Sequence, residues 1–294
     1  MAADLILGKD VSEKIYADLR ERIARLKQNG IVPGLAVILV GDDPASQVYV
    51  GMKDKKCVEL GINSYQHILS ASTTQEELMA KIRELNADDS VSGILVQLPL
   101  PRHLDESAVI KAIDPDKDVD CFHPFNLGKM IIGEADLLPA TPAGIHQMMV
   151  RSGIKIAGKH VVIVGRSNIV GKPLANILMQ KDENADATVT VVHSRTANFT
   201  ELTKMADILI VAIGKPKLIT ADMVKEGAVI IDVGTNRIDD PTAKNGKRLV
   251  GDVDFDSVKD KVSAITPVPG GVGPMTICML MSNTVTAAER RLTQ

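Results

Sequence analysis

Along this chain, short runs of consecutive apolar residues alternate with longer stretches whose apolar positions recur every three or four residues. Runs rich in Val, Ile and Leu at 35–40, 64–69, 93–98, 161–164, 188–192, 208–213, 228–233 and 262–265 read as strands. Strands apolar on both faces belong to parallel sheets covered by helices. The intervening stretches predict helices over 11–28, 44–60, 75–86, 105–113, 143–151 and 169–180, with a last one over 274–290. Asp43 is placed to cap the second of these, Pro44 suits its first turn, and Gly61 suits its stop. This alternation is α/β order, with right-handed crossovers between parallel strands. The segment Leu138-Pro139-Ala140-Thr141-Pro142 interrupts the pattern with two prolines, and 294 residues suffice for two domains of ordinary size. The last helix is expected to cross back to the first domain.

Composition narrows the function classes. Hydrophobic content is 45% but aromatic content only 2%, without Trp, so the core is aliphatic. Stacking platforms for single-stranded nucleic acid are not provided for. A net charge of −3 with mixed signs offers no basic face for nucleic acid or an anionic membrane. The start, MAADLILGKD, lacks a signal peptide's charged beginning and long apolar stretch, and no apolar run approaches a membrane span. Cys57, Cys121 and Cys278 are odd in number and far apart, which fits reduced thiols in a cytoplasmic protein and gives neither a disulfide frame nor a metal site.

Candidate chemistry gathers in a few segments. In the predicted helix 44–60, Ser46, Tyr49 and Lys53 fall within roughly 60° of arc, so a hydroxyl, a phenol and an amine share one stripe. An amine whose pKa is lowered by burial can relay protons, and the ring offers a flat face or a phenolic proton. A solvated lysine beside a half-buried tyrosine gives the same spacing. Gln97 is a lone amide near the end of an apolar strand, just before Leu98-Pro99-Leu100-Pro101. It can orient a lysine amine, bind a polar heterocycle, or bond the loop backbone. Asp114-Pro115-Asp116-Lys117-Asp118-Val119-Asp120 begins like a calcium loop, but Val119 holds the glycine position and Phe125 the bidentate glutamate position. Metal is rejected there, and most of these acids are expected to be solvated. Pro267-Val268-Pro269-Gly270-Gly271-Val272-Gly273-Pro274 is a rigid turn whose glycines let backbone approach a ligand closely.

The second half carries a dinucleotide signal. Strand 161–164 runs into Gly165-Arg166-Ser167-Asn168-Ile169-Val170-Gly171 and then a helix, the geometry of a nucleotide-binding first crossover. Ser167 stands where a second glycine is usual. Strand 188–192 ends in His193-Ser194-Arg195-Thr196, without the acid that would hold the ribose hydroxyls of NAD. Ser194 and Arg195, facing Arg166, suit a 2′-phosphate, so NADP is expected over NAD.

Five segments together resemble the bifunctional methylenetetrahydrofolate dehydrogenase/cyclohydrolase family: Tyr49-Val50-Gly51-Met52-Lys53, Val96 to Pro101, Asp116 to Asp120, Gly165 to Pro173 and Pro269 to Thr276. All occur in the family's order, and the resemblance covers nearly the whole chain. It implies oxidation of 5,10-methylenetetrahydrofolate by NADP and hydrolysis of the methenyl product to 10-formyltetrahydrofolate, in a homodimer. It implies an N-terminal α/β folate-binding catalytic domain over 1–139 with 281–294, and a Rossmann-type parallel-sheet NADP domain over 140–280. It implies Lys53 as the acid/base, Tyr49 stacking on folate, Gln97 supporting Lys53, Asp120 holding the pterin, and Ser46 behind them. Leu98, Pro269, Gly270, Gly271 and Gly273 would shape the folate pocket. Gly165, Arg166, Ser167, Ile169, Ser194, Arg195 and Thr235 would bind NADP. Two departures stand out: Cys121 where the family commonly has glycine, and Thr235 where it often has isoleucine. Short-chain dehydrogenases also use Tyr-x-x-x-Lys, but after the nucleotide motif, whereas Tyr49 precedes Gly165 by over a hundred residues. A non-catalytic NADP sensor is disfavoured by Lys53, Gln97 and Asp120 occurring together.

Overall fold

The computed structural model describes residues 3–243 and 246–292. In chain order its principal elements are β1 (Asp4–Leu5), α1 (Gly8–Gln28), β2 (Gly34–Val40), α2 (Pro44–Leu60), β3 (Asn63–Leu69), α3 (Gln75–Ala87), β4 (Gly93–Val96), α4 (Glu106–Ala112), α5 (Pro124–Ile131) and α6 (Ala140–Arg151). There follow β5 (His160–Val164), α7 (Gly171–Leu178), β6 (Thr188–Val192), α8 (Phe199–Lys204), β7 (Ile208–Val211), β8 (Val229–Asp232), β9 (Asn236–Asp239), β10 (Lys247–Val250), α9 (Phe255–Val258), β11 (Ala264–Ile265) and α10 (Gly273–Glu289). The chain divides into two compact units, Lys14–Ala140 with Ile277–Gln294, and Met1–Glu13 with Thr141–Thr276.

The division corrects the expected domain limits at the N-terminus. β1 pairs in parallel with β11, Asp4 opposite Ala264 and Leu5 opposite Ile265, and this ties the first residues to the unit of residues 141–276. A two-residue strand containing an aspartate is too short to show a hydrophobic period. At the other end of the sequence, the limits fall inside α10 after Thr276 rather than at 281.

In the unit of Lys14–Ala140, a parallel sheet in the order β3-β2-β4 is centred on β2, all seven of whose residues are buried. Ala36, Ile38, Leu78, Ile82, Ile94 and Val109 are fully buried in one aliphatic cluster, as the lack of large aromatics requires. The C-terminal helix is fastened to this unit by polar contacts. Asn283 Nδ2 donates to the carbonyls of Val119 and Leu138, each at 2.8 Å, and Arg22 Nε donates to Glu289 at 3.0 Å. α2 forms where expected: Asp43 accepts from the Ser46 N–H at 2.7 Å, Pro44 opens the helix, and Gly61 ends it at φ +74°. Such an aspartate cap contributes about 1 kcal/mol.

The unit of residues 141–276 is built on a parallel sheet in the order β1-β11-β8-β7-β5-β6. β6 and β7 lie on opposite sides of β5, so the strand order reverses there, and the carboxyl ends of these strands bound the crevice where such sheets bind ligands. An exposed antiparallel ribbon, β9–β10, was not anticipated; its Asn, Arg, Asp and Lys residues leave too few apolar positions to register as strands. α5 was also missed. It is only eight residues long, although Pro124 in its first turn and the His123 ring, which accepts from the Phe125 N–H at 3.1 Å, mark its start. α6 begins earlier than expected, because Pro142 lies in the first turn, where proline is tolerated.

Among the described residues no helix is long and apolar enough to cross a membrane. Cys57, Cys121 and Cys278 are buried and form no disulfide. Burial pushes the Cys57 thiol up to about 12, with the nearby Asp54 charge adding to the shift. We expect the native protein to react slowly with a thiol-directed disulfide reagent at pH 8 and to release three equivalents once unfolded. Prompt labelling of the folded protein would contradict this burial.

Candidate active site

α2 presents a buried stripe of Ser46, Val50, Lys53, Cys57 and Leu60, and Tyr49 stands at its border, 47% exposed. The helical spacing thus brings a tyrosine ring to the surface next to an amine that is only 8% exposed. Lys53 Nζ donates to Gln97 Oε1 at 2.9 Å, and the Gln97 amide donates onward to the Leu98 carbonyl at 2.8 Å. Of the three roles open to Gln97 from sequence, it fills two: it orients the lysine and ties the loop. Gln97 occupies its place because its own N–H extends the β2–β4 ladder, donating to Ile38 O at 2.8 Å.

Burial holds the Lys53 amine below the ordinary lysine range, and the charge of Asp120 opposes that shift. Asp120 is half-buried; desolvation raises its carboxyl to about 6, with the Lys53 charge pulling it down and Asp118 pushing it up. A lysine with a lowered pKa coupled to a carboxylic acid with a raised one is an arrangement suited to proton exchange. Lys53, Tyr49, Gln97, Leu98 and Asp120 therefore lie in one unit, on α2, at the end of β4 and on the loop before α5.

The aspartate run is not uniformly solvated. Asp114 and Asp116 are exposed, but Asp118 is 1% exposed and accepts from the N–H groups of Phe122 (3.2 Å) and His123 (2.8 Å) and from Asn126 Nδ2 (2.9 Å). Lys117 Nζ donates to the carbonyls of Leu85, Asn86 and Asp88, closing the end of α3. These neighbours fix the loop that carries Asp120, and an unpatterned run of charges gave no sign of it. Cys121 explains one departure: its φ is +59°, a left-handed backbone that favours glycine and costs other residues about 1–2 kcal/mol. Its thiol donates to Leu137 O at 3.2 Å.

In the other unit, β5 leads into Gly165 at φ +129°, whose N–H donates to Val192 O at 2.8 Å. A Cβ on Gly165 would meet Ala212 O at 2.2 Å, and one on Gly171 would meet Gly165 O at 2.2 Å. The two glycines thus allow the strand, turn and α7 to pack at backbone contact, the cradle that a pyrophosphate needs. Ser167 Oγ accepts from the N–H groups of Val170 (3.1 Å) and Gly171 (3.4 Å), so the residue replacing the second glycine caps the helix start. After β6, Arg195 N donates to the His193 ring at 3.2 Å and His193 N to Thr196 Oγ1 at 2.9 Å. That closed turn leaves Ser194 and Arg195 exposed, as are Arg166, Ser167 and Ile169; Thr235 is exposed on the loop after β8. The Pro269–Gly273 turn lies in this same unit, with Gly271 buried against the Pro267 carbonyl and Pro269, Gly270 and Gly273 exposed. A cleft of about 550 Å³, lined in part by Lys155, Lys159, Asp207 and Lys225, opens at the opposite, amino ends of the strands, away from these loops. Among the described residues, no group of three or more His, Cys, Asp or Glu is placed to hold a metal ion.

Comparison with known proteins decides the family. The tetrahydrofolate dehydrogenase/cyclohydrolase catalytic domain matches residues 6–120, and the NAD(P)-binding domain of the same family matches residues 139–292. The chain belongs to the tetrahydrofolate dehydrogenase/cyclohydrolase family. It is 59% identical to the bifunctional protein FolD of Dehalococcoides mccartyi strain CBDB1, over 99% of this chain and 98% of that protein. It also matches the crystal structure of the bifunctional FolD methylenetetrahydrofolate dehydrogenase/cyclohydrolase of Campylobacter jejuni, with a TM-score of 0.93 and 50% identity, covering 99% of this chain and 100% of that one. The FolD enzyme of Trypanosoma brucei, solved with NADP cofactor and inhibitor, matches at a TM-score of 0.93 and 40% identity over the full length of both chains. The family's two-domain α/β fold, with a parallel-sheet nucleotide-binding domain, is the fold found here.

Proposed function

We propose that this protein oxidises 5,10-methylenetetrahydrofolate with NADP and hydrolyses the resulting methenyl cation to 10-formyltetrahydrofolate. The observation that carries the reading is the buried Lys53 amine, hydrogen-bonded to Gln97 and coupled to the Asp120 carboxylate, in a chain both of whose domains match the family. NADP, when bound, accepts the hydride. The carbon that loses it lies between two nitrogens, so the cation formed is self-stabilised and the step depends mainly on alignment. In the second step water adds to that carbon, and the ring C–N bond opens as protons are moved. Lys53, whose burial favours the neutral amine, takes a proton from the water and returns it to the departing nitrogen. Gln97 fixes the amine, Tyr49 offers its exposed ring to the folate, and Asp120 accepts from the pterin's amino group and ring N–H. Leu98 and the Pro269, Gly270, Gly271 and Gly273 turn bound the folate. Gly165, Arg166, Ser167, Ile169, Ser194, Arg195 and Thr235 hold the cofactor.

One absorbance assay with methylenetetrahydrofolate and each nicotinamide cofactor tests the reading: NADPH formation followed by decay of the methenyl absorbance supports it, and no turnover with either cofactor refutes it. Cofactor choice has its own test. Replacing Arg166 and Arg195 together with alanine is expected to lower kcat/KM for NADP far more than for NAD, because the 2′-phosphate loses two charge-assisted contacts. In the wild type the preference for NADP shrinks as salt rises. Equal losses with both cofactors would assign these arginines to the shared pyrophosphate.

Residues assigned to the reaction come from a single copy of the chain, and we assign the assembly as a homodimer, as family resemblance implies; sedimentation equilibrium checks it. A net charge of −3 supports a protein that engages neither nucleic acid nor membrane, and three cysteines outside any disulfide support a cytoplasmic setting.

A further inference from the structure

Two carboxylates at the carboxyl ends of the strands in the unit of residues 141–276 are buried beyond what the reaction uses. Asp252 is 0% exposed and Asp232 4%. Asp252 Oδ2 accepts from the N–H groups of Ile213 (2.8 Å) and Gly214 (2.9 Å), the first turn after β7. Its Oδ1 accepts from Asn236 Nδ2 at 2.8 Å, the residue next to Thr235 in the loop after β8. Asp232 holds Asp252 in turn: its Oδ1 accepts from the N–H groups of Gly234 and Asp252, each at 2.9 Å, and its Oδ2 from the Val253 N–H at 3.0 Å. The Asp232 N–H donates to Thr266 Oγ1 at 2.7 Å, just before the Pro267–Gly273 turn.

These bonds join loops that are far apart in sequence and adjacent at the carboxyl ends of the inner strands β7 and β8. The loop after β7 also abuts the phosphate turn, since the Ala212 carbonyl occupies the space a Gly165 Cβ would need and the Ala212 N–H donates to Val164 O at 2.8 Å. A shift of Ile213 and Gly214 would therefore move the wall against which Gly165 is packed. We propose that Asp252 is a positioning residue for the dinucleotide: from beneath the floor of the site, it sets the loops after β7 and β8 so that Gly165 and Thr235 face the cofactor together. Buried backbone N–H groups need acceptors, and a single carboxylate serving three donors on two loops ties their positions to each other. The inference rests on the reading that these loops hold NADP, and it concerns the part of the cofactor common to NADP and NAD.

The test uses the full-length protein and three variants: Asp252→Ala, Asp252→Asn and Asn236→Ala. Asparagine still offers an oxygen to Ile213 and Gly214, and Asn236 can turn its amide to accept from the new NH₂. Asp252→Ala is expected to raise the KM for NADP and the NADPH dissociation constant, read by fluorescence, at least about tenfold. The same factor is expected with NAD, and Asp252→Asn should recover most of the loss. Asn236→Ala, which removes the link to the Thr235 loop alone, should give a smaller rise of the same kind. Hydrolysis of methenyltetrahydrofolate supplied directly, which consumes no cofactor, should stay within about threefold of wild type in all three. An unchanged cofactor KM in Asp252→Ala overturns the proposal, as does a parallel fall of both activities with cofactor affinity unaltered, which would make the carboxylate a purely structural clamp. If Asp252→Ala does not fold, Asn236→Ala decides: a cofactor KM equal to wild type overturns the proposal. Failure of the 2′-phosphate reading is distinguishable, because the arginine variants act on NADP selectively whereas Asp252 acts on both cofactors alike.

Discussion

Replacing Lys53 with methionine is expected to slow methenyltetrahydrofolate hydrolysis by about 10²–10⁴-fold, the usual contribution of a positioned acid/base. Methionine keeps the apolar stem that packs in the α2 stripe and removes the titrating amine. The amine is buried, its pKa is lowered by that burial, and Gln97 holds it at 2.9 Å. The substitution keeps length and packing, so the fold should survive. NADPH affinity, measured by fluorescence, is expected to match wild type because the cofactor residues lie in the other unit. Near wild-type hydrolysis by the variant would mean that another group moves the proton. A drop in midpoint together with activity would mean that Lys53 acts through structure.

The contrast between what could and could not be read from sequence follows from range. α2 was legible because its signals are local: Asp43, Pro44 and Gly61 at the ends, and a stripe set by helical period. The inner strands β2, β4, β5, β7 and β8 were legible because burial on both faces makes them near-continuously apolar, whereas β3 and β6, at the edges of their sheets, are largely exposed or half-buried. β1 was not, since two residues carry no period, and only its pairing with β11 places it. Gln97 stood out as an amide in an apolar strand, and the structure puts it on Lys53. Asp118, Asp232 and Asp252 did not stand out. Each is an ordinary aspartate in sequence, and its role comes from N–H donors that the fold brings to it, in the case of Asp252 from residues 213, 214 and 236. Buried polar hubs of this kind are tertiary by nature, because the partners are distant along the chain. The positive φ of Cys121 was likewise invisible in composition.

Asp120 and Asp118, two residues apart, are expected to fail in opposite ways. Asp118→Ala leaves the N–H groups of Phe122 and His123 and the Asn126 amide without their acceptor, so the midpoint of thermal unfolding should fall, at about 1–3 kcal/mol per unpaired group. Asp120 has the reverse linkage. Its carboxyl is raised from 3.8 to about 6 in the folded protein, so what protonation contributes to stability is present below pH 3.8 and is lost as pH rises through 6. At pH 7–8 the ionised side chain opposes folding, and Asp120→Ala should unfold no earlier than wild type. Its loss should appear in function instead. Pterin donors left unpaired cost about 1–3 kcal/mol each in folate affinity, and because alignment serves both steps, dehydrogenase and cyclohydrolase should fall together. In the wild type, kcat/KM for folate should climb as pH passes about 6, where the carboxyl loses its proton, while the lysine gains its neutral form with rising pH. Asp120→Asn keeps the shape, removes that titration and should flatten the rise. The measurements are folate affinity, both activities and unfolding midpoints across the two alanine variants, with the pH profile of the asparagine variant. Persistence of the inflection near pH 6 in Asp120→Asn would assign it to another group, and an Asp120→Ala protein that binds folate as wild type does would place the pterin anchor elsewhere.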